Sequence, residues 1–146
     1  MKVYLAAPWT HRDFAPAWAK AFTDAGHTIT LPWWEHPETD KPEELQNCAI
    51  DDFTAVVRAD VLVLFNTQLR GSETSGKAVE TGIALAHIKP IILIGERTNV
   101  FHHMPNVYKV ATITEALELL DEDSGFVDVP RPVRRPGLRG RLVGGR

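Results

Sequence analysis

The chain predicts an α/β fold, a parallel sheet with helices on both faces, and three observations carry that reading. Apolar runs of strand length alternate with segments whose apolar residues recur at helical spacing. The run Asp60–Phe65 (DVLVLF) is almost continuously apolar, as a central strand covered on both faces requires. The connections are short, and strand–helix–strand order with short connections implies parallel neighbours.

Each element has its own signal. Lys2–Ala7 (KVYLAA) is the first strand. Arg12–Ala25 follows as a helix, with Phe14, Trp18 and Phe22 on one face and Gly26 ending it. His27–Leu31 (HTITL) is the second strand. The stretch from Pro32 to Pro42 is rich in proline and tryptophan and is expected to be irregular. Glu43–Arg58 is helical, and Asp60–Phe65 is the third strand. The loop Asn66–Ser75 leads to a helix from about Gly76 to His87. Pro90–Ile94 (PIILI) is the fourth strand. A loop containing Asn99–Met104 leads to a short fifth strand near Val107–Val110, then to a helix over Thr112–Leu120 that Thr114 is placed to cap. Ligands of such sheets bind at the carboxyl ends of the strands, where strand order reverses. Three loops are therefore expected at one site: Ala7–Asp13, Asn66–Gly76 and Gly95–Met104.

Composition narrows the class. The 146 residues are 44% hydrophobic and 24% charged, which suits one globular domain and excludes disordered and fibrous classes. No apolar run approaches the roughly 20 residues that span a bilayer. MKVYLAAPW enters a strand directly, with no cleavage site, and a cytoplasmic protein is expected. A single cysteine, Cys48, excludes a disulfide framework and a multi-cysteine zinc site, and is expected to be a buried structural thiol. Residues 1–124 read as the domain and 125–146 as a Pro/Gly/Arg-rich tail. From Val129 onward there are six arginines and no acid, so the rest holds ten basic and nineteen acidic side chains, a net −9 beneath the overall −3. An acidic body argues against nucleic acid as partner, since phosphate contacts need a basic face. The tail reads as a solvated extension, or as a contact for an acidic partner.

Several residues can carry chemistry. Gly71–Lys77 (GSETSGK) has the spacing of a nucleotide phosphate loop, but Ala78 stands where a hydroxyl should hold Mg²⁺, and Glu73 would repel phosphate. What remains is a cradle of Thr74, Ser75, Gly76 and Lys77 at a helix start, suited to a sugar hydroxyl or one phosphate. Glu80, in the first turn or so of that helix, is either an acid placed against the helix dipole or a carboxylate that the dipole keeps ionised and aimed into the cleft. In the second case it can attack an anomeric carbon. Asp51 and Asp52 are either a solvated face or one half of an acid–nucleophile pair. Asp60 suits the turn that starts a strand. Tyr4 is either a core tyrosine or a phenol reaching the cleft carboxylate. Trp9 can stack on a base; Trp33 and Trp34 can do the same or cover the sheet edge. His102 and His103 diverge if helical and lack a third ligand at metal spacing.

Taken together, MKVYLAAPW, Asp52, ADVLVLF, SGKAVETGIALAHIKPIILIGE and NVFHHM resemble the nucleoside 2-deoxyribosyltransferases and the related deoxynucleoside 5′-monophosphate N-hydrolases. The similarity spans about residues 1–120, and its most specific part is the G-x-x-V-E-x-G-x-A-L-A stretch from Gly76 to Ala86. The resemblance implies a flavodoxin-like sandwich, with a five-stranded parallel sheet, that works as a homodimer or larger homo-oligomer with shared sites. It implies small-molecule nucleosides, nucleotides and nucleobases as partners, and no metal or organic cofactor. Residue by residue it makes Glu80 the nucleophile that forms a covalent deoxyribosyl-enzyme, and Tyr4 the tyrosine that orients it. Asp52 becomes the acid that exchanges protons with the base, Trp9 an aromatic of the base pocket, and Asn99 an amide that reaches a neighbouring subunit's site. Thr74 stands where transferases often carry an aspartate and the N-hydrolases a hydroxyl. The first loop (Pro8, Thr10, Arg12) lacks the serine and arginine of the hydrolases. The implied reaction is transfer of 2-deoxyribose between bases, with hydrolysis of deoxynucleoside 5′-monophosphates as the alternative and a non-catalytic nucleotide-binding module as a third reading.

Overall fold

Alternation of apolar side chains along the strands builds two cores, one on each side of a single sheet. A computed structural model describes residues 1–67 and 75–121. They run β1 (Lys2–Ala6), α1 (Ala15–Asp24), β2 (Thr28–Ile29), α2 (Pro42–Arg58), β3 (Val61–Asn66), α3 (Ser75–Ala86), β4 (Ile91–Gly95), β5 (Val107–Val110) and α4 (Ile113–Asp121). Single 3₁₀ turns occupy Trp9–His11, Trp33–Glu35 and Val100–His103. All strands are parallel, in the order β2-β1-β3-β4-β5. The chain leaves β1 for one edge and returns to β3 on the other side, so strand order reverses between β1 and β3 and a crevice opens at their carboxyl ends.

Parity decides which side chains meet. Val3 and Leu5 of β1, with Val61, Val63 and Phe65 of β3, face Ala19 and Phe22 of α1 and Ala116 and Leu120 of α4. Tyr4 and Ala6, with Leu62 and Leu64, face the opposite way, against Ala55 and Val56 of α2 and Ala84 of α3. Successive strand residues point to opposite faces, so Tyr4 is committed to the α2–α3 side. Lys2 N–H donates to Asp60 Oδ2 at 2.7 Å, so Asp60 ties the start of β1 to the start of β3.

Three expectations about elements need correction. The first helix starts at Ala15, not Arg12, because Pro16 must lie in a first turn. A helix from Arg12 would bury Pro16 in its interior, where the missing N–H and the ring break the bond to the preceding turn. The chain instead makes the Trp9–His11 turn, closed by His11 N–H to Pro8 O and Arg12 N–H to Trp9 O. Thr112, not Thr114, caps α4: its Oγ1 accepts from Glu115 N–H at 3.2 Å while Glu115 Oε2 accepts from Ala111 N–H at 2.9 Å. Cys48 is half-buried rather than buried, since α2 turns only part of that face to the core. The expected tail 125–146 and the loop residues 68–74 lie outside the described residues.

Candidate active site

Three elements bring three titratable side chains together on the α2–α3 side of the sheet. Tyr4 projects from the middle of β1 and is wholly buried. Asp52 lies one turn before Ala55 and Val56, the buried residues of α2. Glu80 lies one turn before Ala84, which packs into the same core from α3. Residues three and four apart share a helix face, so both carboxyl groups are turned toward β1. The Tyr4 Oη lies 2.7 Å from Glu80 Oε1 and 3.1 Å from Asp52 Oδ1. The resemblance paired Tyr4 with Glu80 and named Asp52 apart from them; the fold makes the three one cluster.

The electrostatics differ from expectation. Glu80 lies in the second turn of α3, because the helix starts at Ser75. The dipole's influence fades within the first turn, so it does not hold Glu80 ionised. Burial dominates and pushes the Glu80 carboxyl up to about 7; the Tyr4 hydroxyl opposes this and the nearby Asp52 adds to it. Burial also raises Asp52, opposed by the His36 charge and by the bond from Tyr4. Burial, then the two carboxylates, drive Tyr4 far above the ordinary phenol range, so it stays protonated. Glu80 Oε2 is buried with no hydrogen-bond partner among the described residues. Glu80 is also one of the residues that line a pocket.

The pocket, of about 140 Å³, is lined by Ala7, Trp9, Trp33, His36, Asp52, Gly76, Lys77 and Glu80. Trp9 and Trp33 stand with ring centroids 6.1 Å apart and tilted by 42°, and the Arg12 guanidinium covers Trp9 at 4.7 Å. An indole face in the same pocket as two carboxyl groups suits a flat heterocycle joined to a sugar. Of the three expected loops, the one after β1 reaches this pocket through Ala7 and Trp9; the one after β3 lies mostly outside the described residues, and Gly76 of α3, at its far end, lines the pocket. The third, after β4, lines a neighbouring and largely apolar cavity of about 520 Å³ with Asn66, Lys77, Thr98, Asn99 and His102 in its polar wall. Lys77 lines both cavities, and its Nζ donates to Asn66 Oδ1 at 2.8 Å.

The remaining expected residues fall as follows. Gly76 and Lys77 line the pocket; Ser75 opens α3; Thr74 lies outside the described residues. Asn99 caps the Val100–His103 turn, its Oδ1 accepting from Phe101 N–H at 2.9 Å and His102 N–H at 3.3 Å. Its amide nitrogen faces His102 Nε2 of the same chain at 3.2 Å. His102 is buried and His103 exposed. Trp33 is core, its indole N–H donating to Leu5 O at 2.6 Å. His36 and Asn66 were missed, while Trp33 stands in the pocket wall as one of the two alternatives the sequence left open. A signal for His36 was present: β2 is parallel to β1, so the loop after β2 emerges at the same end of the sheet. The Trp33–Glu35 turn, pinned to β1 by the indole, carries His36 to the pocket.

Comparison with known proteins bears on this cluster. The profile of the family described as nucleoside 2-deoxyribosyltransferase matches residues 3–128. The chain belongs to that family. Its fold is that of a 2-deoxyribosyltransferase from the psychrotolerant bacterium Bacillus psychrosaccharolyticus, with a TM-score of 0.62, 20% identity, and 80% of this chain and 90% of that one covered. The CMP N-glycosidase BcmB of Clostridium botulinum superposes with a TM-score of 0.55 at 21% identity, covering 83% of this chain and 98% of that one. No curated protein sequence matches the chain. The nucleoside 2-deoxyribosyltransferase family thus holds structures that move a sugar and structures that release a base, and this chain shares their flavodoxin-like sheet.

Proposed function

We propose that this protein is a nucleoside 2-deoxyribosyltransferase that breaks the N-glycosidic bond through a covalent glutamyl-deoxyribose intermediate. The observation that carries the reading is the Tyr4-centred cluster: a carboxyl with a free buried oxygen, a second carboxyl beside it, and an aromatic wall. In the first half-reaction Glu80 Oε2 bonds to C1′ while the C1′–N pair withdraws to the base, and the Asp52 acid protonates the departing nitrogen. A second base then attacks C1′, gives its proton to Asp52 and releases Glu80. Trp9 and Trp33 hold the base; Gly76 and Lys77 border the sugar. No group in this scheme is a metal or organic cofactor. We further propose that the protein is cytoplasmic and works as a homo-oligomer; among the described residues no helix is long and apolar enough to cross a membrane.

The deciding experiment is chromatographic. Purified protein is incubated with each deoxynucleoside and each deoxynucleoside 5′-monophosphate, with and without an acceptor base. New nucleoside formed only with acceptor supports transfer, and absence of turnover on every substrate overturns the catalytic reading.

A second reading, hydrolysis of 5′-monophosphates, is favoured by one observation: Lys77, whose ammonium donates to Asn66 Oδ1, is among the residues that border the pocket, one turn from Glu80. Free base released from a monophosphate without acceptor supports it. Lys77→Ala should then raise KM for the monophosphate at least about tenfold more than for the nucleoside, on the scale of one charge-assisted hydrogen bond. Equal effects on both substrates would remove phosphate from the reading.

A further inference from the structure

A hydroxyl has one proton to donate, yet Tyr4 Oη sits within hydrogen-bond distance of two carboxyl groups. If both carboxylates were ionised, one would face the phenol oxygen lone pair to lone pair, buried from water. A second proton resolves the conflict, because a protonated carboxyl donates to the phenol oxygen while the phenol donates onward. Two arrangements satisfy both contacts of the phenol. In the first, Glu80 carries the proton and donates to Tyr4, which donates to Asp52. In the second, Asp52 carries it and donates to Tyr4, which donates to Glu80. They differ only in the positions of two protons.

Those arrangements are not chemically equivalent. Attack at C1′ needs Glu80 ionised, and departure of the base needs Asp52 protonated, so only the second is productive. In the empty site the first is favoured. Glu80 is the more deeply buried carboxyl, and His36 stands at the Asp52 side of the pocket, where its positive form stabilises an ionised Asp52. The other ionisable groups around Asp52 are Cys48 and Asp51 on its own helix, Glu80 and Lys77 from α3, and Tyr4 from β1.

We propose that Tyr4 is a proton relay that switches the cluster from its resting to its productive arrangement when a nucleoside binds. This rests on the functional reading above. A base nitrogen placed beside Asp52 gives the protonated acid a better acceptor: its O–H turns from Tyr4 Oη to the nitrogen, which favours the arrangement with the proton on Asp52. The Glu80 proton passes to Tyr4 Oη as the Tyr4 proton passes to Asp52 Oδ1. One unit of negative charge moves from Asp52 to Glu80, the total charge of the cluster is unchanged, and no solvent proton is required. Glu80 is left ionised, with the new Tyr4 O–H directed at Oε1 and Oε2 free to attack.

Infrared spectroscopy of protein labelled with carboxyl-¹³C in glutamate or in aspartate tests this directly near neutral pH, because the isotope shifts the carboxylic C=O band of whichever residue holds the proton. The ligand is a C-nucleoside, whose C1′–C bond the enzyme cannot break, with binding measured by calorimetry in the same samples. The expected result is an acid band sensitive to the glutamate label in the empty protein and to the aspartate label in the complex. Tyr4→Phe should lower kcat at least about 10²-fold and narrow the pH range over which kcat/KM is maximal, since the shared-proton form loses its bridge. A purely orienting tyrosine would lower kcat and leave the shape of the pH profile unchanged, which would overturn the relay. Binding without migration of the band would overturn the relay alone. Failure of every C-nucleoside to bind would overturn the functional reading and the relay with it.

Discussion

At the scale of residues, a carboxyl group whose proton is held more tightly in the folded state makes stability depend on pH. Glu80 titrates near 7 when folded, against about 4.3 in an unfolded chain. Between those values the folded protein keeps a proton that the unfolded chain releases. Stability from this group is therefore fully present below about pH 4.3, falls as pH rises through 7, and then levels off. The whole shift corresponds to at most about 4 kcal/mol. Glu80→Gln, which never ionises, should gain most of that difference over the native protein at pH 8 and little of it at pH 5 in urea unfolding. The same variant should lose at least about 10³-fold in kcat, as removal of a covalent nucleophile does. A variant that is more stable at pH 8 and inactive would mark Glu80 as a residue kept for chemistry at the expense of stability. Near-normal turnover would remove the covalent mechanism.

At the scale of elements, two local contacts set the walls of the site. The Trp33 indole binds the Trp33–Glu35 turn to β1 through Leu5 O, and His36 N–H closes the turn on Trp33 O at 3.0 Å. Trp33→Phe keeps an aromatic ring but frees the carbonyl. It should cost about 1–2 kcal/mol in urea unfolding. It should also raise KM severalfold while changing kcat less, because Tyr4, Asp52 and Glu80 are held by β1, α2 and α3. Unchanged KM would deny the turn a part in binding. On the other side, Gly95 ends β4 with φ +116°, and a Cβ there would lie 2.5 Å from Asn66 O. Asn66 in turn bonds Thr98 Oγ1 at 3.1 Å, the Glu96 carbonyl and the Lys77 ammonium. Gly95→Ala meets both a strained backbone and a backbone clash, so it should destabilise by at least about 2 kcal/mol, read as a lower urea midpoint. Because the clash falls on Asn66, substrate affinity should weaken as well through Lys77.

At the scale of the whole molecule, the loop aromatics that a contact between copies could draw on are Trp33, Trp34 and Phe101. Trp33 is core and Trp34 half-buried, which leaves Phe101 exposed beside Val100 on the turn that Asn99 caps. Leu45, Ile50 and Phe53 on α2 and Val79 on α3 are also exposed. Such residues suit a contact between copies, whose buried centre is apolar and poor in charge. We expect a dimer or larger closed assembly by light scattering. Mixing inactive Glu80→Ala with inactive Asn99→Ala protein should restore part of the activity if the Asn99 turn completes a neighbour's site. A fully active monomer at assay concentration would confine Asn99 to its capping role.

The sequence by itself determined the α/β class and the succession of strands and helices along the chain, and it nominated Tyr4, Asp52 and Glu80 as candidates, because periodicity, apolar runs and one specific motif are local properties. The starts of α1 and the cap of α4 were also local, written in Pro16 and in the pairing of Thr112 with Glu115, and were misread. The cluster itself was not local. Tyr4 and Glu80 lie 76 positions apart, and only the parity of β1 together with the placement of α2 and α3 on the same face brings both carboxyl groups to one phenol. The rise in the Glu80 pKa was likewise invisible in the chain, since it comes from burial among neighbours that sequence spacing does not reveal. His36 entered the site for the same reason: a parallel pairing of two short strands and one indole hydrogen bond carry its loop to the mouth of the crevice.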